Sequence, residues 1–173
     1  MKSEKLKNLV LAALLAALAC VATMMIAIPI PAVNGYLNLG DAVVLFGAFL
    51  LGPVWGMAAG GIGTAMADML LGYAVYAPGT LVIKGAMAFV AAWLFRELRQ
   101  RIGNAKAGAV SGFVGECIMV LGYFLYESLV LGYGMAAIGS VAANALQGVV
   151  GLVIGTALAR AVEQRGAFRV RMV

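Results

Sequence analysis

The chain has 173 residues, 64% of them hydrophobic and 11% charged, against roughly 25% charged in an ordinary soluble domain; lipid must be the solvent for most of this apolar surface. The net charge of +5 comes from Lys and Arg at segment ends, with no basic face interleaved with aromatics, which argues against a nucleic-acid partner. Histidine is absent, which removes Ser-His-Asp and Cys-His catalysis, His-ligated zinc or haem and His proton relays, so neither a metal site nor a cofactor is expected.

The apolar run Leu9 to Ile28, after Lys2, Lys5 and Lys7, is long enough to cross a bilayer and longer than the apolar region of a signal peptide. It predicts a retained first helix over 6–28, stopped by Pro29 and Pro31. Within it, Ala12 to Ala16 and Ala13 to Ala17 form overlapping small-xxx-small repeats that allow close helix approach in lipid. Residues 29–41 read as a loop with no cation, and Asp41 can cap a short second helix over 42–51. Gly52-Pro53 breaks the chain before a third helix over 54–71, which carries Gly56, Gly60, Gly61 and Gly63.

A second loop with Tyr73, Tyr76 and Pro78 precedes a fourth helix over 80–98, ending in a basic cluster. The fifth is predicted over 107–129 and the sixth over 135–161. Cys20 and Cys117 fall in spans without pair spacing and read as small buried apolar residues. The fold class expected is therefore an all-α membrane protein, a single domain of six transmembrane helices over 1–173.

Eleven of the twelve Lys and Arg lie at the N-terminus, at 96–106 and in the last 14 residues. Six spans bring these three patches to one side, which the positive-inside rule makes cytoplasmic, together with both termini. The patches comprise Lys2, Lys5 and Lys7; Arg96, Arg99, Arg101 and Lys106; and Arg160, Arg165, Arg169 and Arg171. Reading 42–71 as one re-entrant element would change the count, but would put 96–106 outside.

The remaining cation, Lys84, and the acids Asp68, Glu116 and Glu127 fall within spans, where charges are costly and signal function or pairing. Asp68 and Lys84, on sequence-adjacent helices, are the expected internal ion pair. Glu116, Met119, Val120, Tyr123 and Glu127 make one polar-aromatic stripe on the fifth helix that should face the interior. Asn144 and Gln147 share a face of the sixth. These groups converge on the extracytoplasmic half, beneath loops carrying Tyr36, Tyr73, Tyr76 and Tyr133, as expected of a small-molecule pocket.

Several runs, in this order, resemble the substrate-binding S-components of energy-coupling factor (ECF) vitamin transporters. They are Tyr36-Leu-Asn-Leu-Gly-Asp41, Leu51-Leu-Gly-Pro-Val-Trp-Gly56, Ala67-Asp68-Met-Leu-Leu-Gly-Tyr73, Tyr76-Ala-Pro-Gly-Thr80, Gly122-Tyr-Phe-Leu-Tyr-Glu127 and Asn144-Ala-Leu-Gln147. With the alanine-repeat first helix, they look most like the subgroup associated with hydroxymethylpyrimidine, a thiamine precursor, and vitamin B6.

The resemblance implies a binding protein, not an enzyme, in a bacterial or archaeal cell membrane. It also implies partnership with one membrane coupling subunit and two ATPases, since the chain has no Walker A motif. Ala12, Ala13, Ala16 and Ala17 map to the family's docking surface. The candidate ligand contacts are Asn38, Asp41, Tyr73, Lys84, Glu116, Tyr123, Glu127, Asn144 and Gln147. Carboxylates outnumber cations among them, which suits an amine or protonated heterocycle such as pyridoxamine, pyridoxine or hydroxymethylpyrimidine. A free Lys84 would instead make pantothenate plausible. The alternatives are a carrier working alone, an intramembrane enzyme and a purely structural subunit.

Overall fold

The computed structural model describes residues 2–30, 33 and 35–164. Six helices form, in the order expected: α1 (Lys2–Met25), α2 (Gly40–Leu51), α3 (Pro53–Leu70), α4 (Ala77–Ile102), α5 (Asn104–Leu125) and α6 (Ile138–Gln164). Of the expected features, Pro31, Arg165, Arg169 and Arg171 lie outside the described residues. Among the described residues, four stretches are long and apolar enough to cross a membrane: Glu4–Met25, Ala77–Ile102, Asn104–Val130 and Gly134–Gln164.

The short α2 is the architectural centre. It packs against all five other helices, and nine of its twelve residues are buried. Twelve residues rise about 18 Å, well short of the roughly 30 Å of a hydrocarbon core. Its apolar character therefore comes from burial inside protein, not from contact with lipid. Gly52, at φ +80°, ends α2 and turns the chain into α3, a backbone conformation that few side chains tolerate.

Around α2 the neighbours run α1, α3, α4, α5 and α6, each packed on the next. The core joins Val44, Leu45, Ala48 and Phe49 of α2 to Ile83, Met87, Ala88 and Ala91 of α4 and Met119 of α5. Leu9, Leu14, Leu18 and Val21 of α1, Phe113 and Leu121 of α5, and Val149 and Val153 of α6 point outward. Such an apolar exterior is stable only against hydrocarbon.

The segment read as an unstructured loop contains a small antiparallel hairpin, β1 (Ile28–Ile30) and β2 (Gly35–Leu37), with Pro29 opposite Tyr36. The first helix ends at Met25, three residues sooner than expected, because the chain must turn into β1. The hairpin packs against α6, and Asn38, just after β2, is tied to that helix. It lies over the N-terminal end of α2, in the layer that this helix is too short to fill.

Two irregular turns follow α5. A π-helical turn, Tyr126–Val130, extends it, and a 3-10 turn, Gly134–Ala137, leads into α6. π turns inside helices cluster at functional sites because they re-aim one side chain relative to the rest of the face. Here that side chain is Glu127, which is buried, while the Tyr126 hydroxyl donates to the Val75 carbonyl at 2.7 Å.

Candidate functional site

Five parts of the chain converge on one cavity. The hairpin and its exit contribute Ile30, Gly35, Tyr36 and Asn38; α3 contributes Asp68; and the start of α4 contributes Tyr76 and Thr80. Tyr123 and Glu127 come from α5 and its π turn, and Asn144 and Gln147 from α6. The polar residues sit at ends of helices that are otherwise apolar, so they meet in one layer above α2.

A hydrogen-bond network fixes most of the wall. The Tyr36 hydroxyl donates to Asp68 Oδ1 at 2.6 Å. The Tyr76 hydroxyl donates to Glu127 Oε1 at 3.2 Å, and the Ser140 hydroxyl donates to Glu127 Oε2. Tyr123 and Thr80 share a hydrogen bond of 2.9 Å. The backbone N–H of Asn38 donates to Gln147 Oε1 at 2.7 Å, joining the hairpin exit to α6. Burial, followed by the nearby Asp68 carboxylate, pushes the Tyr36 phenol well above its ordinary pKa. Burial and Glu127 do the same for Tyr76. Both phenols are thus held as hydrogen-bond donors.

Beneath the cavity lies a second polar layer. Lys84 pairs with Asp41, not with Asp68 as the sequence suggested, and both residues are fully buried. Asp41 is carried to the centre of the bundle by the first turn of α2, while Asp68 is turned toward the hairpin and Tyr36. Asp41 therefore does not cap α2; its second oxygen accepts from Gln147 Nε2 at 2.7 Å. The Lys84 ammonium lies 5.4 Å from the centre of the Tyr123 ring, a distance at which a cation is attracted to the face.

Six of the nine expected ligand contacts, Asn38, Tyr123, Glu127, Asn144, Gln147 and (through its bridge to Gln147) Asp41, belong to the cavity wall or its immediate support. Lys84 joins them from below through Asp41. Tyr73 stands behind the wall, its ring 4.6 Å from that of Tyr36. Glu116 faces α6 instead: side chains added at Gly148 or Gly151 would come within 3.1 Å or 2.9 Å of its carboxylate. Neither of its oxygens has a hydrogen-bond partner among the described residues.

Four residues of the wall and its support, Thr80, Ser140, Tyr36 and Tyr76, are not among the expected ligand contacts, and a fifth, Asp68, has a different role from the one expected. Thr80 precedes Lys84 by four positions on α4, and Ser140 precedes Asn144 by four on α6; that periodicity was the available signal. Tyr36 and Tyr76 were visible only as loop aromatics. Asp68 read as a structural partner of Lys84, yet it lines the cavity.

The model of the family described as ECF-type riboflavin transporter, S component, matches residues 3–164. The chain belongs to this family. Its members are membrane-embedded substrate-binding proteins of transport, not enzymes, and work with a module of coupling subunit and ATPases. A Pyrococcus woesei protein described as uncharacterized, in the gap 3′ region, is 39% identical over 145 residues, which span 84% of this chain and 94% of that one. The thiamine precursor transporter HmpT of Lactococcus lactis subsp. cremoris is 28% identical over 167 residues, covering 96% and 93% of the two chains. In three dimensions the fold matches an S component solved in a study of a bacterial ECF transporter. The TM-score is 0.71 at 20% identity, over 95% of this chain and 99% of that one.

Proposed function

We propose that this S component captures a small, uncharged or cationic vitamin precursor from outside a prokaryotic cell, with hydroxymethylpyrimidine as the leading ligand and vitamin B6 amines next. In this reading the whole chain, 1–173, is one multi-pass domain of six helices with both termini cytoplasmic and the hairpin outside. A membrane coupling subunit and two ATPases supply the energy. The supporting observation is the cavity, whose lining among the described residues includes two carboxylates and no cation.

The side chain of Asn144, itself 5% exposed, makes no hydrogen bond within the described protein and borders the cavity. A free carboxamide offers one donor and one acceptor side by side, the complement of an aminopyrimidine edge, as in Asn recognition of adenine. Tyr123 and Tyr76 flank the same space with their rings 6.5 Å apart. The likeness to HmpT over nearly the full length of both chains supports the same choice. Pantothenate fits poorly, because among the described residues the cation close by, Lys84, is neutralised by Asp41.

Native mass spectrometry of the protein purified in mild detergent, with extraction of bound small molecules, tests the reading. A pyrimidine or pyridine at about one per chain supports it. Co-purification of riboflavin, the substrate in the family's name, would replace it. An empty protein with no thermal shift across a vitamin panel would return the question to a structural subunit or a carrier working alone.

A further inference from the structure

Asp68 is 4% exposed, lines the cavity, and has one oxygen committed and one not. Oδ1 accepts from the Tyr36 hydroxyl, and Oδ2 has no hydrogen-bond partner among the described residues. The Thr80 hydroxyl interacts with the Asp68 carboxylate and also shares a hydrogen bond with Tyr123 in which either oxygen can donate, yet among the described residues no hydrogen bond of normal geometry reaches Oδ2. The other wall carboxylate differs: both Glu127 oxygens are taken, by Tyr76 and Ser140. A buried carboxylate oxygen left unsatisfied costs free energy, and a donor arriving with the ligand removes that cost.

We propose that Asp68 is the specificity-determining residue of the cavity: its Oδ2 accepts an N–H from the ligand, selecting amino-substituted or protonated heterocycles and rejecting phosphorylated or carboxylate-bearing ones. The inference rests on the cavity being the vitamin site. Rejection follows because an anion would sit beside Asp68 and Glu127 with no lining cation to offset them. Tyr36 acts as a positioning residue, holding the carboxylate so that Oδ2 faces the ligand.

The test is equilibrium binding to wild type, Asp68→Asn and Tyr36→Phe. The ligands are hydroxymethylpyrimidine, its N,N-dimethylated amine analogue, pyridoxamine, hydroxymethylpyrimidine phosphate and pantothenate. Asparagine keeps an acceptor for Tyr36 and replaces only the second oxygen, so the fold is retained. D68N is expected to weaken hydroxymethylpyrimidine and pyridoxamine by about 10- to 100-fold and to narrow the gap to the anionic ligands. Y36F is expected to weaken the amines while leaving their preference over the anions in place. On the wild type alone, dimethylation of the amine is expected to reduce affinity by at least about 10-fold. Unchanged affinity and ranking in D68N, or equal binding of the dimethylated analogue, overturns the assignment while the binding function stands. Absence of binding by any of these ligands to wild type removes the proposed substrate class and the role of Asp68 with it.

Discussion

Lys84 and Asp41 are fully buried between α4 and α2, and Gln147 supports the pair from α6. Removing one partner strands the other charge in the bundle. Lys84→Met is expected to lower stability by about 3–5 kcal/mol, measured by thermal or denaturant unfolding in detergent. The double variant Lys84→Met with Asp41→Asn is expected to recover most of that loss, because the uncompensated charge is gone. Glu116 gives the opposite expectation. Its carboxylate has no partner among the described residues and abuts Gly148 and Gly151 of α6. Glu116→Gln preserves the shape and removes an ionisable group, so the melting temperature should hold or rise; a large drop would mean that the charge is used. At this scale the sequence exposed which residues were costly, since charges in apolar spans are conspicuous. It did not expose their partners. Pairing Lys84 with Asp68 came from chain proximity, whereas the true pairing depends on where α2 lies in the bundle.

Among the elements, α1 carries two overlapping alanine stripes with different fates. Ala12 is buried and Ala16 half-buried, while Ala13 and Ala17 are exposed. A Cβ at Gly63 of α3 would lie 2.3 Å from the Ala16 carbonyl oxygen, so this stripe is used for packing α1 on α3. Gly63→Leu is expected to destabilise the isolated protein by about 1–3 kcal/mol or more through overpacking, seen as a lower melting temperature. Ala13→Trp with Ala17→Trp should leave folding and ligand affinity unchanged while impairing uptake by the assembled transporter, if the exposed stripe is the docking surface. Binding and uptake measured on the same variant separate the two effects. The small-xxx-small spacing was legible in the sequence, but not which of two faces one angular step apart would meet α3. The hairpin was missed for a related reason. Three-residue strands carry almost no periodic signal, and β1 contains a proline.

For the whole molecule, the cavity lies at one end of the bundle, and its walls come from the hairpin, α3, α4, α5 and α6. A ligand bound there ties together elements far apart in sequence. Saturation at 100 times Kd should add about 2.7 kcal/mol to unfolding stability, visible as a rise in melting temperature with ligand concentration. Proteoliposomes containing the chain alone should bind ligand without accumulating it. Accumulation is expected only when the coupling subunit, the ATPases and ATP are present; uptake without them would revive a carrier working alone.

The sequence by itself determined the membrane solvent, six helices in order, the approximate ends of most of them and the gathering of polar groups in one layer. Each of these follows from local composition and spacing: apolar length, Pro and Gly breaks, and the depth of a charge along its own helix. Only the tertiary structure decided that α2 is the buried centre, that Lys84 neutralises Asp41, and that Asp68 lines the cavity with one oxygen uncommitted. Those outcomes depend on helix rotation and contacts between distant segments, such as Asp41 with Gln147. Hydropathy and spacing fix how deep a residue lies, but not which neighbour it faces across the bundle.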